Sequence, residues 1–372
     1  MPKFDGGLTD QATSDDWRMS AQSALAFFLP GQPIDALEPL GQGNINDTWR
    51  VTLAGGRRLV LQRLHPHVFP DVAAVMGNMQ VVTTHLGRSV APGFIFFRLV
   101  AAPDGRTYSI DASGCCWRLL TYLDQTRTLA ILTTPAQAET VGDLLGLFHL
   151  LTADLDPGLL ADPLPDFHVT PRYLERYDAV CRNSVWSGDR QESLCREMIE
   201  TMRPTASLLE DAWDRLSRRV IHGDPKAANF LFAAKEDRAV SLIDLDTVKP
   251  GLTLHDLGDC LRSCCNLLGE QQTDPEAAAF APEMFQGLMT GYLRRAAHLL
   301  TPADRELLIA AAALISFELG LRFFTDHLEG DRYFKVNRPG DNLRRALVQL
   351  YLNRSIRRQQ GELEQRLAAL LP

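Results

Sequence analysis

The spacing of apolar residues changes near residue 123, and this change constrains the fold more than any other feature of the chain. Before it, apolar and polar residues alternate with a period of two, as they do in half-buried strands. After it, apolar residues recur every three or four positions, as they do in amphipathic helices. Segregation of strand patterns from helix patterns is typical of the α+β class.

The first third of the chain predicts a unit of five short strands and one helix, and the apolar pattern gives bounds for four of the strands and for the helix. Residues 40–53 form a glycine-bearing turn followed by alternating residues, and 58–64 continues the alternation after a second glycine turn, which is a hairpin pattern. A helix with one apolar face is predicted over 70–86. Two more strand-like segments are predicted at 93–101 and 116–122.

The rest of the chain is predominantly helical, with one interruption. Residues 219–246 contain three short β-like stretches separated by a polar loop and a turn. Small hairpins inside a helical domain often present polar groups to a ligand. The predicted helices cover 135–155, 170–181, 189–217, 280–300, 302–328 and 342–371.

These patterns predict a two-lobe α+β chain. The smaller lobe, 1–122, would carry a five-stranded antiparallel sheet with one helix, and the larger lobe, 123–372, would be helical. A length of 372 residues fits two domains. Two lobes leave a cleft, which is where ligands commonly bind.

Composition excludes some classes of partner. The chain has 38 basic and 46 acidic residues and a formal charge of −8, which disfavours nucleic-acid binding by bulk charge. Seven cysteines without paired spacing fit a reducing cytoplasm better than a disulfide framework. The first residues lack a signal-peptide core, and the longest apolar stretch, 307–317, is too short to span a bilayer. We therefore expect a cytoplasmic protein without a membrane partner.

Lysine is scarce and unevenly placed. Only five of the 38 basic residues are lysines, and none occurs between Lys3 and Lys226. A GC-rich genome that favours arginine codons is one explanation. Whatever the origin, a cation needed in the first half must be arginine, or histidine near its neutral range.

One polar constellation lies in the interruption of the helical pattern. His222, Asp224 and Asn229 share a loop between two β-like stretches, and Asp244 ends the following stretch. Phosphoryl transfer needs one carboxylate to orient and deprotonate a hydroxyl and oxygen ligands for magnesium. Asp224 is then the candidate base, Asn229 and Asp244 are the candidate metal ligands, and His222 is expected to brace the loop. A capped turn that satisfies its own amides is the structural alternative.

The chain resembles the aminoglycoside phosphotransferase and choline kinase superfamily, and within it the N-acetylhexosamine 1-kinases. The superfamily resemblance rests on Asp224, Asn229 and Asp244, and it implies a protein-kinase-like two-lobe fold with ATP as co-substrate and Mg²⁺ as cofactor. The segments that carry it are GNINDTW (43–49), LQRLHPHVFPDV (61–72), PDFHVTPR (165–172), HGDPKAANFLF (222–232), IDLDTVKPG (243–251), HDLGDCLR (255–262) and ELGLRFFTDHLEGDRYFKV (318–336).

The resemblance also implies a nucleotide site in the first lobe. These kinases place a cation on the third strand, and aligning VLQR puts Arg63 there, with Leu61 on the same face and able to touch adenine. The turn containing Gly43 and Asn44 would cover the ATP phosphates. The usual partner glutamate is missing, because no glutamate occurs between residues 38 and 139. Something else must orient Arg63, for example Asp71, Asn78 or phosphate alone.

The acceptor site needs aromatic faces and planar hydrogen-bonding groups for hydroxyls. Asp166 and His168 on a proline-bounded loop, and Arg322 and Tyr333 near a helix end, are the candidates, although Arg322 also fits an ion-pair ladder with Glu318. Two further residues have alternative roles. Asp256 either caps a helix or, as the resemblance implies, braces the catalytic loop. Lys226, two positions after the candidate base, would stabilise the moving phosphoryl group.

The sequence therefore predicts a kinase that transfers the γ-phosphoryl group of ATP to a sugar, at the anomeric hydroxyl of an N-acetylhexosamine. Choline, homoserine, methylthioribose or an aminoglycoside are alternative acceptors. A nucleotide-binding pseudokinase is a further alternative, which the missing glutamate suggests and the intact Asp224, Asn229 and Asp244 argue against. We expect a monomer or homodimer.

Overall fold

Packing divides the chain into two units in this computed structural model, which describes residues 16–41, 46–89, 91–183 and 188–371. The first unit covers Met1–Val72, Phe97–Tyr122 and Arg332–Lys335. The second unit covers Ala73–Phe96, Leu123–Asp331 and Val336–Pro372. The units are described separately below. The predicted domain bounds, 1–122 and 123–372, stay a prediction.

The first unit contains an antiparallel sheet of five strands with the order β1-β2-β3-β5-β4. The glycine-containing turn between β2 and β3 gives the hairpin that the alternating pattern predicted. The strands are β1 (Ile34–Pro39), β2 (Asp47–Leu53), β3 (Arg58–Leu64), β4 (Tyr108–Ile110) and β5 (Cys116–Thr121).

One face of this sheet is covered by α1 (Asp16–Phe28), a helix that the sequence analysis did not predict. Its buried residues Ala21, Ala24, Leu25 and Phe28 follow the i, i+3, i+4, i+7 spacing of a helix face. They pack in one cluster with the alternating apolar residues of the sheet, and Trp17 stacks on Trp49 with ring centroids 5.1 Å apart. This cluster is the core of the first unit.

The strand predicted over 93–101 was wrong. Only Leu99 forms a bridge there, to Leu120, and the rest of the segment is irregular. Its backbone groups bond to separate partners, since the Ile95 amide donates to the carbonyl of Val240 and the Val100 amide donates to that of Leu119. A segment whose amides lack a common neighbouring strand cannot form a regular ladder, although its residues have high strand propensity.

Helices dominate the second unit, as predicted. The predicted helix over 189–217 is divided, since α5 ends at Met202 and only short helical turns follow. The helices are α2 (Val72–Leu86, of which Val72 groups with the first unit), α3 (Pro135–Leu151), α4 (Thr170–Asn183), α5 (Arg190–Met202), α6 (Leu208–Asp211), α7 (Thr253–Cys264), α8 (Pro282–Ala296), α9 (Pro302–Leu328), α10 (Asp341–Arg358) and α11 (Gln360–Leu370).

Helix α9 is the central helix of this unit and packs against α7, α10 and α4. A Thr301–Asp304 capping box and Pro302 fix its start. By length and composition alone α9 could cross a membrane, but 78% of its most apolar window is buried inside the protein, as expected of a core helix.

Two small sheets in the second unit carry the loop that the sequence analysis singled out. In one, β7 (Arg218–Ile221) pairs antiparallel with β10 (Lys249–Leu252). In the other, β8 (Phe230–Ala233) lies between β6 (Thr126–Thr128) and β9 (Ala239–Leu242). The candidate catalytic loop therefore leaves one sheet at the end of β7 and enters the other at the start of β8. An antiparallel sheet with a predominantly helical second unit confirms the predicted α+β, kinase-like fold class.

Helices α3 and α8 approach so closely that only glycine fits at several contact positions. A Cβ at Gly142 would lie 1.9 Å from the Leu288 carbonyl oxygen, and one at Gly291 would lie 1.9 Å from the Glu139 carbonyl oxygen. Backbone atoms cannot move aside as a side chain can. The two helices would therefore have to separate to accept a methyl group at either position.

We expect Gly142→Ala to destabilise the protein by about 1–3 kcal/mol, the usual cost of overpacking. Gly77→Ala in α2 is the matched control, because that helical glycine is exposed and a Cβ there meets nothing within 4 Å. The control should stabilise the protein by about 0.5–1 kcal/mol through helix propensity. Urea unfolding of both variants measures the two effects, and equal stabilities would contradict the close approach.

Candidate active site

The loop after β7 makes a turn that requires glycine. Gly223 has φ +86°, and a Cβ there would lie 2.6 Å from the Thr247 carbonyl oxygen. The Thr247 hydroxyl donates to the His222 carbonyl at 2.9 Å, which joins this loop to the one containing Asp244. The local sequence His-Gly-Asp therefore allows the chain to turn while two loops stay in contact.

Asp256 on α7 fixes this loop by its backbone. Its two carboxylate oxygens accept hydrogen bonds from the amides of His222 and Gly223, both at 2.7 Å. His149 Nε2 lies 2.9 Å from the same carboxylate, and all of these groups are buried. Burial alone would raise the pKa of Asp256, but the contacts with His149 and with the loop hold it below its usual range. The bracing role implied for Asp256 is thus confirmed by its contacts.

Asp224 and Lys226 form an ion pair at the centre of the loop, with Nζ 2.5 Å from Oδ2. Burial opposes ionisation of both groups, but their mutual attraction outweighs it, so the pKa of Asp224 is lowered and that of Lys226 is raised. The Asp224 side chain remains 28% exposed, which leaves the carboxylate accessible to a small molecule.

Asn229 lies against the same aspartate. Its amide nitrogen donates to the Asp224 backbone carbonyl at 2.7 Å and lies 3.3 Å from the Asp224 carboxylate. Because the Asn229 amide nitrogen makes these contacts, the amide oxygen is the atom of this side chain that can bind a cation.

Asp244 is positioned by the residue before it. The Ile243 amide donates to the Asn229 carbonyl at 2.9 Å, and the Ile243 carbonyl lies 2.9 Å from His222 Nε2. His222 thus braces the loop, as predicted. Asp244 itself has φ +68°, a conformation uncommon for a residue with a side chain. Asn229 therefore contacts Asp224 directly, and Asp244 follows a residue whose backbone is bonded to Asn229 and His222.

This oxygen-rich arrangement fits Mg²⁺. An amide oxygen and a carboxylate are the hard ligands that magnesium prefers, and the ion usually keeps several waters or phosphate oxygens as well. Asn229 and Asp244 would hold the ion, and their assignment as its ligands stays a prediction.

The loop 162–168 is attached to the same region by two buried side chains. Lys249 Nζ contacts the Asp162 carboxylate at 3.0 Å and the backbone carbonyls of Leu164 and Phe167 at 3.3 and 3.2 Å. His168 is 4% exposed, and its Nε2 lies 2.7 Å from the Gly223 carbonyl. Of the predicted acceptor residues, His168 therefore contacts the catalytic loop itself.

Arg322 on α9 lies between two aromatic rings. Its guanidinium carbon is 5.1 Å from the ring centroids of both Phe167 and Tyr173. Asp166, one residue before Phe167, has φ +69° and a side chain that is 63% exposed. Arg322 is thus a half-buried cation held between two aromatic rings, and Glu318, its predicted ion-pair partner, is hydrogen-bonded to His168.

The first unit contains Arg63, and Asp47 is the residue that orients it. Register pairs Asp47 of β2 with Arg63 of β3, and the guanidinium contacts the Asp47 carboxylate through Nε at 3.2 Å and Nη2 at 2.7 Å. His65 and Lys335 contact the same carboxylate at 3.0 and 3.1 Å. Burial alone would raise the pKa of Asp47, but these contacts hold it well below its usual range.

Asp47 replaces the missing helix glutamate as the partner of Arg63. Of the three orienting groups considered from the sequence, Asn78 is engaged elsewhere, since its amide bonds the backbone of Ala161 and Val248. The register of β2 against β3 was the signal that would have found Asp47, because facing residues of opposite charge pair directly.

The remaining predicted residues are placed as follows. Leu61 is fully buried in the core cluster of the first unit, so its contact with adenine stays a prediction. Gly43 and Asn44 lie outside the described residues. Tyr333 groups with the first unit and packs edge-to-face on Phe334 with ring centroids 4.8 Å apart.

Fold and loop chemistry together define a small-molecule phosphotransferase of an ATP-utilising kinase class. The model of the phosphotransferase enzyme family (APH) matches residues 36–298, so the chain belongs to that family and transfers phosphate to a hydroxyl acceptor.

Solved structures share the fold over nearly the whole chain. A microcompartment-associated aminopropanol kinase matches at 16% identity and a TM-score of 0.65, covering 94% of this chain and 99% of that one. An aminoglycoside phosphotransferase from Alicyclobacillus acidocaldarius also matches at 16% identity, with a TM-score of 0.60 and coverage of 94% and 96%. An amicoumacin kinase, solved with AMP-PNP and Ca²⁺, matches at 14% identity, with a TM-score of 0.55 and coverage of 97% and 96%.

We expect Asp256→Asn to lower kcat by about 10²-fold, because an amide nitrogen would face a backbone N–H and release the loop that holds Asp224. Asp154→Asn is the matched control, since that carboxylate is exposed and, in the part of the chain that the structure describes, its ion pair is with His85. Steady-state phosphotransfer assays compare the two variants. Equal kcat values would show that the carboxylate on α7 does not position the loop.

Proposed function

We propose that the protein is an ATP- and Mg²⁺-dependent sugar kinase that phosphorylates the anomeric hydroxyl of an N-acetylhexosamine. The loop geometry around Asp224 carries this proposal, since an accessible carboxylate, a cation and two oxygen ligands lie on loops fixed by Asp256 and His222. The cytoplasm, where ATP is abundant and thiols stay reduced, is the proposed location.

Asp224 accepts the proton of the acceptor hydroxyl in this mechanism. The acceptor oxygen forms a bond to the γ-phosphorus, the bond from that phosphorus to the bridging oxygen breaks, and ADP leaves. A lowered pKa keeps Asp224 ionised at neutral pH but makes it a weak base. A weak base is sufficient, because a loose phosphoryl-transfer transition state needs the hydroxyl oriented more than it needs early proton removal.

Two cationic side chains balance phosphate charge. Lys226 lies at the reacting carboxylate and neutralises the transferring group, whereas Arg63 holds the nucleotide phosphates with Asp47 fixing its orientation. Asn229 and Asp244 would hold Mg²⁺, which supplies further charge neutralisation when bound. Leu61, Gly43 and Asn44 complete the proposed nucleotide site.

The acceptor contacts are proposed on chemical grounds. A sugar presents hydroxyls and an apolar ring face, and Arg322, Asp166 and the aromatic Tyr333 offer donors, acceptors and a stacking surface. His168 was the fourth predicted contact. One structure of similar fold is an aminopropanol kinase, so an amino alcohol is the second candidate, which the exposed Asp166 carboxylate favours.

We expect Asp224→Asn to lower kcat by about 10²–10⁴-fold, the usual contribution of a positioned acid or base, while ATP binding survives. Asp237→Asn is the control, because that aspartate is exposed on the turn that follows β8 and contacts Arg127 at 2.7 Å. Turnover and nucleotide titration of both variants test the assignment. Undiminished turnover in Asp224→Asn would refute it.

The acceptor is tested by an ADP-release screen over hexosamines, hexoses, amino alcohols and aminoglycosides, followed by ³¹P NMR of the product. An anomeric phosphate on an N-acetylhexosamine supports the proposal, and preference for an amino alcohol replaces it with the second candidate. ATP binding without transfer to any acceptor would favour a pseudokinase.

We expect Arg322→Met to raise the acceptor KM about tenfold, the equivalent of about 1.4 kcal/mol, with the ATP KM unchanged. Arg354→Met is the matched control, because Arg354 also lies over a tyrosine ring, Tyr351, at 4.3 Å, on α10. If both variants keep the wild-type acceptor KM, Arg322 does not contact the acceptor.

A further inference from the structure

His168 is buried with an oxygen acceptor at each ring nitrogen. Nδ1 lies 3.0 Å from a Glu318 carboxylate oxygen, and Nε2 lies 2.7 Å from the Gly223 carbonyl oxygen. A carboxylate and a carbonyl can only accept hydrogen bonds, so both ring nitrogens must donate. A histidine that donates from both nitrogens is the charged imidazolium.

The surroundings of this ring favour that charge. Glu318 is 1% exposed, and its other oxygen accepts from the Thr170 hydroxyl at 2.8 Å, so the carboxylate is held towards the ring. Burial alone would lower the pKa of His168, but the Glu318 carboxylate outweighs it and raises the pKa above its ordinary value. His168 therefore keeps its second proton to a higher pH than an ordinary histidine does, and loses it as pH rises through that raised pKa.

Other charged or titratable groups reach this pair from the neighbouring elements. Asp259 on α7 adds negative charge that favours the imidazolium, and Arg322 on α9 acts on Glu318. His255, also on α7, stacks on His168 with ring centroids 5.1 Å apart, and Lys249 on β10 acts on His255. Burial lowers the pKa of His255 well below its usual value, so the stacked ring is neutral and adds no opposing charge.

We propose that His168 is a positioning residue of the phosphotransfer site, which as an imidazolium holds the Gly223 carbonyl and so orients Asp224. This inference rests on the proposed role of Asp224. It replaces the earlier prediction that His168 contacts the acceptor.

The two ends of Gly223 are held from different elements. Asp256 on α7 accepts from its amide, and His168 donates to its carbonyl, which belongs to the peptide bond that leads into Asp224. With both groups engaged, the φ and ψ angles of Gly223 are fixed although glycine is the most flexible residue. If His168 were neutral, one of its ring nitrogens would carry a lone pair in place of a proton. That lone pair would face either the Gly223 carbonyl oxygen at 2.7 Å or the Glu318 carboxylate oxygen at 3.0 Å, and the hydrogen bond to that oxygen would be lost.

Spectroscopy of the wild-type protein tests the protonation directly. We expect ¹⁵N NMR of the histidine rings at pH 7 to show His168 with both nitrogens protonated and His255 neutral, with His168→Ala used for assignment. A neutral His168 ring overturns the inference. This measurement does not require catalytic turnover. The protonation state that it reports is therefore independent of the kinetic result for Asp224→Asn, which tests the proposed function.

Kinetics separate a positioning role from an acceptor contact. We expect His168→Ala and Glu318→Ala to lower kcat about 10–100-fold, with both KM values within about threefold, because a displaced base slows chemistry rather than binding. An acceptor KM raised tenfold at unchanged kcat in His168→Ala overturns the proposal in favour of an acceptor contact.

Glu318→Gln is the conservative variant, and it still tests the proposal if the alanine variants fold poorly. A glutamine amide can donate to Nδ1 of a neutral ring and still accept from Thr170, so Nε2–H still reaches Gly223. We expect kcat within about threefold of wild type at pH 7, with a neutral His168 in the spectrum. A loss of kcat equal to that of Glu318→Ala overturns the proposal.

Glu192→Gln is the matched control. Glu192 on α5 contacts His327 on α9 at 3.2 Å, which makes another buried or half-buried histidine–glutamate pair, and in the described part of the chain this pair does not contact the catalytic loop. Unchanged kcat is expected there, and a loss as large as that of His168→Ala would mean that any such pair supports activity through stability alone.

Discussion

The buried carboxylate of Asp256 is the interaction on which the rest of the site depends. It accepts two successive backbone amides, those of His222 and Gly223, and so fixes the course of the chain immediately before Asp224. A carboxylate buried in this way is costly unless several donors share it, and His149 supplies a further contact. Because Asp256 lies on α7, a buried helix of the second unit, its hydrogen bonds hold the loop rigidly against that unit.

Local sequence patterns predicted much of the fold and the loop residues. Asp224, Asn229 and Asp244 lie within 21 positions, and two short hairpins are enough to bring them together, so their spacing carried the information. The helices of the second unit were visible for the same reason, because the 3.6-residue period is local. The irregular segment over 93–101 was mistaken for a strand, since pairing depends on a neighbouring strand that composition does not reveal.

Contacts between residues distant in sequence could not be predicted this way. The orienting partner of Arg63 is Asp47, on the facing strand, and it depends on a register that one residue of slippage would change. The pair of His168 with Glu318 joins residues 150 positions apart and decides that the histidine faces the backbone of the loop. A motif names residue types, whereas the protonation state of a buried ring follows only from the atoms that surround it.

The contact of Asp47 with Lys335 has a consequence for the order of events during synthesis. These residues belong to the same packing unit but are 288 positions apart, so the ribosome must add all of the intervening residues before the lysine appears. Before that point Asp47 can contact Arg63 and His65 but not Lys335. The first unit therefore reaches its final charge arrangement long after its own sheet strands have been translated.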